Sequence, residues 1–445
     1  MKQYETYKNS GVEWLGNVPD YWESWKISHA FKKIGSGTTP QSGNPIYYEN
    51  GTINWLNTGD LNDGVLYSCA KKVTPKAIED NSSLKLFPKG SLVIAMYGAT
   101  IGKTALLQFE TTTNQACCVF NESDIIDIEY LQYWFKGNKE HIINLAIGGG
   151  QPNISQDILK GIRLYCPIKE EQTQIANYLN HKTKQLDTLI AKKEQLISLL
   201  QEERTAMINQ AVTKGLDPNV PMKDVKEDGL DKIPNHWRLL KFKWLAPILT
   251  CGVASTPEYV DESIGVPFLS AQNVKNNKMR LDKYKYIPVE LHEKLTKLRK
   301  PLNGDLLVTR VGAGIGDACI VDCDFDFSVY VSLTHIRVDE SIVNNKFIMY
   351  FFSTDYCKFL NNYGTVTGGG VGNLNVNNVE RYKIPIPSLE EQNSIVKFIE
   401  HQNEKSDLLQ AKFEQEIELL KEYKTALISE VVTGKVDVRE EVLAQ

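Results

Sequence analysis

EQLISLLQEERTAMINQAVTKGLD, residues 194–217, returns as EQEIELLKEYKTALISEVVTGKVD at residues 414–437, without a gap and at an offset of 220. The register extends upstream: PIKEEQTQIANYL from Pro167 matches PSLEEQNSIVKFI from Pro387, and GGGQPNIS from Gly148 matches GGGVGNLN from Gly368. Further back, VPDYW (18–22) matches IPNHW (233–237) at an offset of 215, and GTTP ending at Pro40 resembles ASTP ending at Pro257. GSLVIAMYGATIGKTALL from Gly90 matches GDLLVTRVGAGIGDACIV from Gly304 at an offset of 214. Such self-similarity marks a chain made of copies of one unit. The offset drifts between 213 and 220, so the copies differ in loop length. The chain is a tandem duplication: a divergent globular part, then a well-matched helical part, twice over.

The helical parts follow from periodicity. Between residues 170 and 212, large apolar residues fall at Leu179, Leu186, Ile190, Ile197, Leu200 and Met207, with Ala211 after them. Steps of seven, four and three fit the a and d positions of a heptad. Ile399, Phe413, Ile417, Leu420, Leu427 and Val431 stand at equivalent places in the second copy. Pro167 and Pro387 end the preceding segments, Ser388 and Glu391 form an S-x-x-E capping box, and glycines follow each helix. Each helix of roughly 43 residues would run ~65 Å at ~1.5 Å per residue. One such helix cannot bury its seam alone; two in one chain can bury theirs against each other.

The globular parts read as mixed α/β with many short strands. SLVIAMY and DLLVTRV are strand-like, and residues 129–145 and 345–360 are predicted helical. The stretch 214–234, KGLDPNVPMKDVKEDGLDKIP, has the proline, glycine and charge of a linker. The resulting division is a first globular domain (1–168), a first helix (169–213), a linker (214–227), a second globular domain (228–388), a second helix (389–434) and a C-terminal tail (435–445). The fold class is α+β.

Composition narrows the class of function. The chain has 445 residues, 42% hydrophobic and 24% charged, which suits soluble multidomain cores. No run approaches the ~18–20 apolar residues of a membrane span. MKQYETYKNSGVEWLG at the N-terminus lacks the apolar core of a secretory signal, so a cytoplasmic location is expected. The eight cysteines contain no C-x-x-C pair; Cys319 and Cys323 form only a lone C-x3-C, so reduced core thiols are expected and no metal. A net charge of −5 argues against gripping nucleic acid by charge alone.

GATIGKT, residues 98–104, looks like the end of a nucleotide-binding loop. A Walker A loop needs G-x-x-x-x-G-K-[ST], and the position that should hold its first glycine is Tyr97. In the second copy Asp317 replaces Lys103, and an aspartate there would repel a triphosphate. What both copies keep is G-x-x-x-G after a strand, which suits a tight turn. G-x-S-x-G, H-E-x-x-H, an Asn/Asp-Pro-Pro-aromatic tetrapeptide and a helix-opening G-x-G-x-x-G are all missing. Glu170–Glu171 and Glu390–Glu391 sit in first helical turns, where they complement the helix dipole.

YKNSGVEWLGNVPDYWESWKI, GTTP followed by INWLNTGDL, the strand–GATIG turn, TTTNQA, GGGQPNIS and P-x-x-EEQ before a long helix together resemble the specificity subunit of type I restriction–modification enzymes. The resemblance covers nearly the whole chain. It implies two target-recognition domains, each followed by a helix, with the helices packed as an antiparallel coiled coil. It also implies no catalysis and no cofactor in this chain. Two partner methyltransferase subunits would methylate adenine with S-adenosylmethionine, and a motor-nuclease subunit would cut with ATP and Mg. Duplication fits duplex DNA, since a pseudo-two-fold object can meet two half-sites on one face. Diverged domains would read different half-sites, giving a bipartite asymmetric target with an unread spacer. The similar helices would each dock the same methyltransferase. Alternatives are a specificity chain for a methylation-only complex, a fused enzyme, and a coiled-coil adaptor without DNA contact.

Residues 1–168 hold 15 Lys/Arg and 16 Asp/Glu, residues 228–388 hold 19 and 17, and residues 389–437 hold 6 and 11. The recognition domains are thus near neutral, and tight DNA binding is expected to need the methyltransferase subunits. Asn and Gln pair bidentately with adenine, Arg and Lys with guanine. Candidate DNA-binding residues in the shared polar loops are Thr39, Gln41, Ser42, Lys103, Gln115, Gln151 and Asn153, and in the second copy Ser255, Thr256, Gln272, Asn273, Arg310 and Asn373. Specificity must live where the copies differ, which adds Tyr47, Tyr48, Lys71, Lys72, Lys275, Lys278 and Arg280. Turn-forming asparagines, strand caps and solvated lysines are the plain alternatives.

Overall fold

The computed structural model of the chain describes residues 2–146, 152–312, 314–366 and 373–441. It divides into two compact units: residues 1–194 with 414–445, and residues 195–413. Each unit therefore takes one globular domain and one half of each long helix. The first long helix is Lys169–Lys214 and the second Leu389–Val432.

The helix halves pair antiparallel. In the first unit Lys424 meets Asp187 at 2.6 Å, and Lys193 meets Glu416 six residues further along one helix and eight back along the other. In the second unit Arg204 meets Asp407 at 2.7 Å. A shift of 220 turns Asp187 into Asp407, and Lys424 lies 220 after Arg204, so the duplication placed the same ion pair in both units. Such exposed pairs are worth only about 0–1 kcal/mol each and report register more than stability. Of the expected seam residues, Leu179, Ile399, Ile417, Leu427 and Val431 are buried. Leu186, Ile190, Ile197, Leu200, Met207, Phe413 and Leu420 are half-buried.

The EEQ triplet joins each helix start to its domain. Gln172 is fully buried; its Oε1 accepts from the Asp127 amide and its Nε2 donates to the Ile125 and Pro167 carbonyls. Gln392 repeats this with the Asn344 amide and the Ile342 and Pro387 carbonyls. Glu171 accepts from the Tyr4 and Tyr21 hydroxyls, and Glu391 from the indole of Trp237 and the imidazole of His236. The acids do more than face a helix dipole. The capping box at Ser388 is half formed, because its hydroxyl accepts from the Glu391 amide while the Glu391 carboxylate serves Trp237. Gln172→Ala or Gln392→Ala removes three bonds and strands buried backbone groups. Each is expected to destabilise its own unit by about 2–4 kcal/mol, measured by denaturant unfolding with hydrogen exchange resolved by unit.

Both domains share one sheet plan. In the first, Lys33–Gly35, Cys117–Asn121, Leu92–Ala95, Thr104–Leu107 and Gly64–Leu66 lie side by side, antiparallel except for the last pair. In the second, the order is Ile248–Cys251, Leu333–Arg337, Leu306–Thr309 and Ala318–Ile320, antiparallel throughout. A three-stranded sheet accompanies each: Thr112–Thr113, Ile53–Leu56, Lys72–Val73 in the first, and Ser328–Val329, Gly265–Leu269, Lys285–Pro288 in the second. Leu92–Ala95 and Leu306–Thr309 are buried along their whole length, which is why they read as continuous apolar runs. Trp22 and Trp237 are fully buried at equivalent places in the two cores.

Four expectations change. The helix expected over 129–145 is two, Ile128–Gly137 and Lys139–Asn144, because the Asn138 side chain takes the Trp134 carbonyl. Its counterpart also breaks, into Asn345–Ser353 and Asp355–Gly364, where the Thr354 hydroxyl bonds the Phe351 carbonyl. The stretch expected as linker folds as a hairpin, Met222–Glu227 against Leu230–Pro234, turning at Gly229 with φ +81°. It buries Leu230 and Ile233 in the second core, so the second domain starts inside the expected linker. The expected tail also packs: Val436 and Val438 are buried in the first core, and the Asp437 amide bonds the Lys2 carbonyl.

Candidate nucleic-acid interface

The false phosphate loop is a hairpin turn. It joins the antiparallel strands Leu92–Ala95 and Thr104–Leu107, with Gly98 and Gly102 at φ +66° and +75°. Four of its amides are already spent: Ile101 N bonds Gly98 O, Gly102 N bonds Ala95 O, Lys103 N bonds Thr100 O and Gly98 N bonds Pro152 O. A phosphate nest needs those donors free and pointing at the ligand. The second turn is built alike, with Gly316 N on Thr309 O and Asp317 N on Gly314 O. Each turn is braced by the segment before the long helix, since Tyr97 bridges Asn153 and Val311 bridges Asn373.

A second loop closes on the strand beside it. A Cβ on Gly37 would lie 1.8 Å from the Thr113 carbonyl oxygen, and a Cβ on Gly252 would lie 2.0 Å from that of Val329. Only glycine admits that approach. It brings Thr39 onto Gln115, hydroxyl to Oε1 at 2.7 Å. The second domain brings Thr256 to the Tyr330 hydroxyl at 3.4 Å.

The remaining candidates sort by burial and partners. Gln41 and Ser42 are exposed beyond that loop, and Lys103 is half-buried in its turn. Tyr47 donates to Asp80, Tyr48 to the Pro40 carbonyl, and Lys71 lies over the Trp55 ring, while Lys72 is exposed. Gln151 lies outside the described residues; Asn153 is exposed. In the second domain Ser255, Thr256, Gln272, Lys275, Lys278 and Arg280 are exposed. Two candidates are corrected. Asn273 is 1% exposed and holds the Ser270 amide and the Arg280 and Lys283 carbonyls, so it is scaffold. Arg310 is buried, with its guanidinium on the Leu374 carbonyl and on Asn373 Oδ1, leaving that fork no access to guanine. Asn373 is exposed but spends its Oδ1 on that arginine.

Domain totals concealed a local charge run. Residues 275–300 hold nine Lys/Arg and three Asp/Glu, against four and three in the matching segment 62–87. Lys275 and Lys278 flank a two-residue turn at Asn276 and Asn277, both with positive φ. An acidic loop partly offsets the run, with Asp326 on Lys300 at 2.7 Å.

One buried charge cluster was missed because its members stand 30 residues apart. Asp305 accepts from His335 Nε2 at 2.7 Å, from Arg337 Nε and Nη2 at 2.8 Å each, and from the Leu302 amide. Burial pulls its carboxyl upward, yet those donors hold it at about 2. In the first domain Ser91 and Asn121 take the equivalent places and bond each other at 3.0 Å. No nucleophile adjoins His335 in these contacts, and its near-complete burial suits a structural brace.

Residues 19–199 and 239–419 match the family described as type I restriction modification DNA specificity domain. The two matches are 220 apart at both ends, as the repeated helices are. The chain is 26% identical over 441 residues to the type I restriction enzyme MjaIX specificity subunit of Methanocaldococcus jannaschii, with 96% of each covered. It is 29% identical over 459 residues to the putative MjaX specificity subunit of the same organism, with 99% of each covered. In fold it is similar to the HsdS subunit from Thermoanaerobacter tengcongensis, with a TM-score of 0.58 at 14% identity over 94% of this chain and 98% of that one. A chain from a structure on complex assembly and conformational transition of the type I R-M system gives a TM-score of 0.70 at 13% identity, over 94% and 99%.

Proposed function

Since the chain belongs to the family of type I restriction–modification specificity subunits, we propose that each of its two DNA specificity domains reads one half of a bipartite, asymmetric site in duplex DNA. The chain itself is non-catalytic. Methyltransferase subunits carry out adenine methylation with S-adenosylmethionine, and a motor-nuclease subunit uses ATP and Mg. The observation that supports this best is one scaffold built twice with different tips. The glycine pinch, the braced turn and the buried glutamine recur, while the tip residues, Gln115 against Val331 and Lys103 against Asp317, do not. A scaffold kept while its exposed tips diverge suits two readers of different sequences, because base edges specify and backbone contacts only position.

The paired helices set the unread spacer and dock the methyltransferases in this reading. Leu189 and Leu419 are exposed in the first unit, at 42% and 55%, and Leu409 and Leu199 in the second, at 40% and 48%. A shift of 220 relates Leu189 to Leu409 and Leu199 to Leu419, so both units present the same apolar pair. Duplicated apolar exposure suits two copies of one partner.

Genome-wide adenine methylation with and without the gene tests the proposal. Loss of methylation at a single bipartite, asymmetric motif is expected. An unchanged methylome in a strain that expresses the chain and its methyltransferase would sink it. A methylation-only complex would give the same loss, and is separated by the survival of unmodified incoming DNA.

A further inference from the structure

We propose that the junction of the two pinched loops is the base-reading tip of each domain, and that Gln115 reads adenine in the first half-site. This rests on the DNA-reading function proposed above. The junction is fixed before any DNA arrives. In the first domain Gly37 N bonds Thr113 Oγ1 at 2.9 Å, the Trp55 indole bonds the Thr38 carbonyl and the Tyr48 hydroxyl bonds the Pro40 carbonyl. In the second, Val253 N bonds the Val329 carbonyl and Val331 N bonds the Val253 carbonyl. The two junctions share the glycine approach at Gly37 and Gly252, held by side-chain bonds in the first domain and by backbone bonds in the second. Gln115 stands two residues before the strand Cys117–Asn121, as Val331 does before Leu333–Arg337; Tyr330 matches Asn114, the amides of both bonding the neighbouring strand at Leu269 and Leu56.

The side chains at the two junctions offer different chemistry. Gln115 is exposed. Thr39 donates to its Oε1, which holds the amide in place and leaves that oxygen a second lone pair. The amide can then accept from adenine N6 and donate from Nε2 to N7, the bidentate pair that singles out adenine in the major groove. In the second domain the matching residue is Val331, which has no polar side-chain atom, and the Tyr330 phenol beside it has no paired donor and acceptor at that spacing. The two half-sites are thereby told apart at this position, with Thr39 as the positioning residue for Gln115.

The test uses the full chain assembled with its methyltransferase subunits and duplexes varied one base pair at a time. For Gln115→Ala, preference at one A·T pair of one half-site is expected to fall by about 5- to 150-fold, with the other half-site read as before. Thr39→Val is expected to weaken the same position, and Thr39→Ser to restore it. A uniform fall across all positions, an unchanged profile, or loss at a G·C pair would each overturn the assignment. Wild type with no bipartite preference would instead overturn the DNA-reading function on which the assignment rests.

Discussion

Asp305→Ala is expected to destabilise the second unit by about 3–5 kcal/mol and to leave the first unit's unfolding unchanged. The carboxylate is 3% exposed and answers four donors, two of them from one guanidinium. Removing it leaves the His335 ring, itself 1% exposed, without its hydrogen-bond partner and the half-buried Arg337 without its counter-charge. A buried charge that loses its partner costs more than the pair was worth, because desolvation is no longer offset. The first domain supplies the control: Ser91 and Asn121 bond each other with no charge at all. Asp305→Ser combined with Arg337→Asn and His335→Val should therefore recover much of the loss. The pH dependence has a definite sign. A carboxyl held at about 2 when folded, against about 3.9 when unfolded, contributes stability that is full above pH ~4 and is lost as pH falls through about 2. Denaturant unfolding of wild type and Asp305→Asn at pH 7 and near pH 2 checks this. A gap between them that fails to narrow in acid would rule the carboxylate out as the source.

Gly37→Ala is expected to remove reading of the first half-site while the rest of the domain stays folded. The added methyl carbon would stand 1.8 Å from a backbone oxygen, and no rotamer relieves a backbone clash. The loop must lift away, taking Thr39 from Gln115. Each misread base pair costs about 1–3 kcal/mol, roughly additively, so methylation at the native site should fall by about 100-fold or more. Gly252→Ala, with its Cβ 2.0 Å from the Val329 carbonyl, should do the same to the second half-site. Site-by-site methylation by the assembled complex, with circular dichroism as the check on folding, distinguishes loop displacement from unfolding. Native methylation by either variant would mean that the pinch does not position the reading loop.

The duplication was legible because it needs no geometry: two stretches of 24 residues align without a gap, and 220 reappears in every matched helix position. From it follow the paired helices, the twin domains and the family. Local periodicity also gave the strands Leu92–Ala95 and Leu306–Thr309, where burial on both faces leaves an unbroken apolar run. It failed at Asn138 and Thr354, where one side-chain bond to the preceding turn ends a helix that the apolar pattern continues. It failed again at residues 222–234, where polar strand residues on a hairpin look like a linker.

The sequence by itself determined that one unit was built twice, where its helices run and that the tips diverged. Only the tertiary structure decided which halves of the helices join which domain, so that residues 414–445 complete the unit begun at the N-terminus. It alone separated open candidates from scaffold: Asn273 and Arg310 have the side chains of base readers, yet both are buried on carbonyls, while Gln115 stays open beside Thr39. The physical reason is that burial and hydrogen bonding belong to partners brought together by the fold. Arg310 meets residues more than 60 positions away and Gln115 one 76 positions away. No pattern of spacing along the chain encodes which polar groups those contacts will consume.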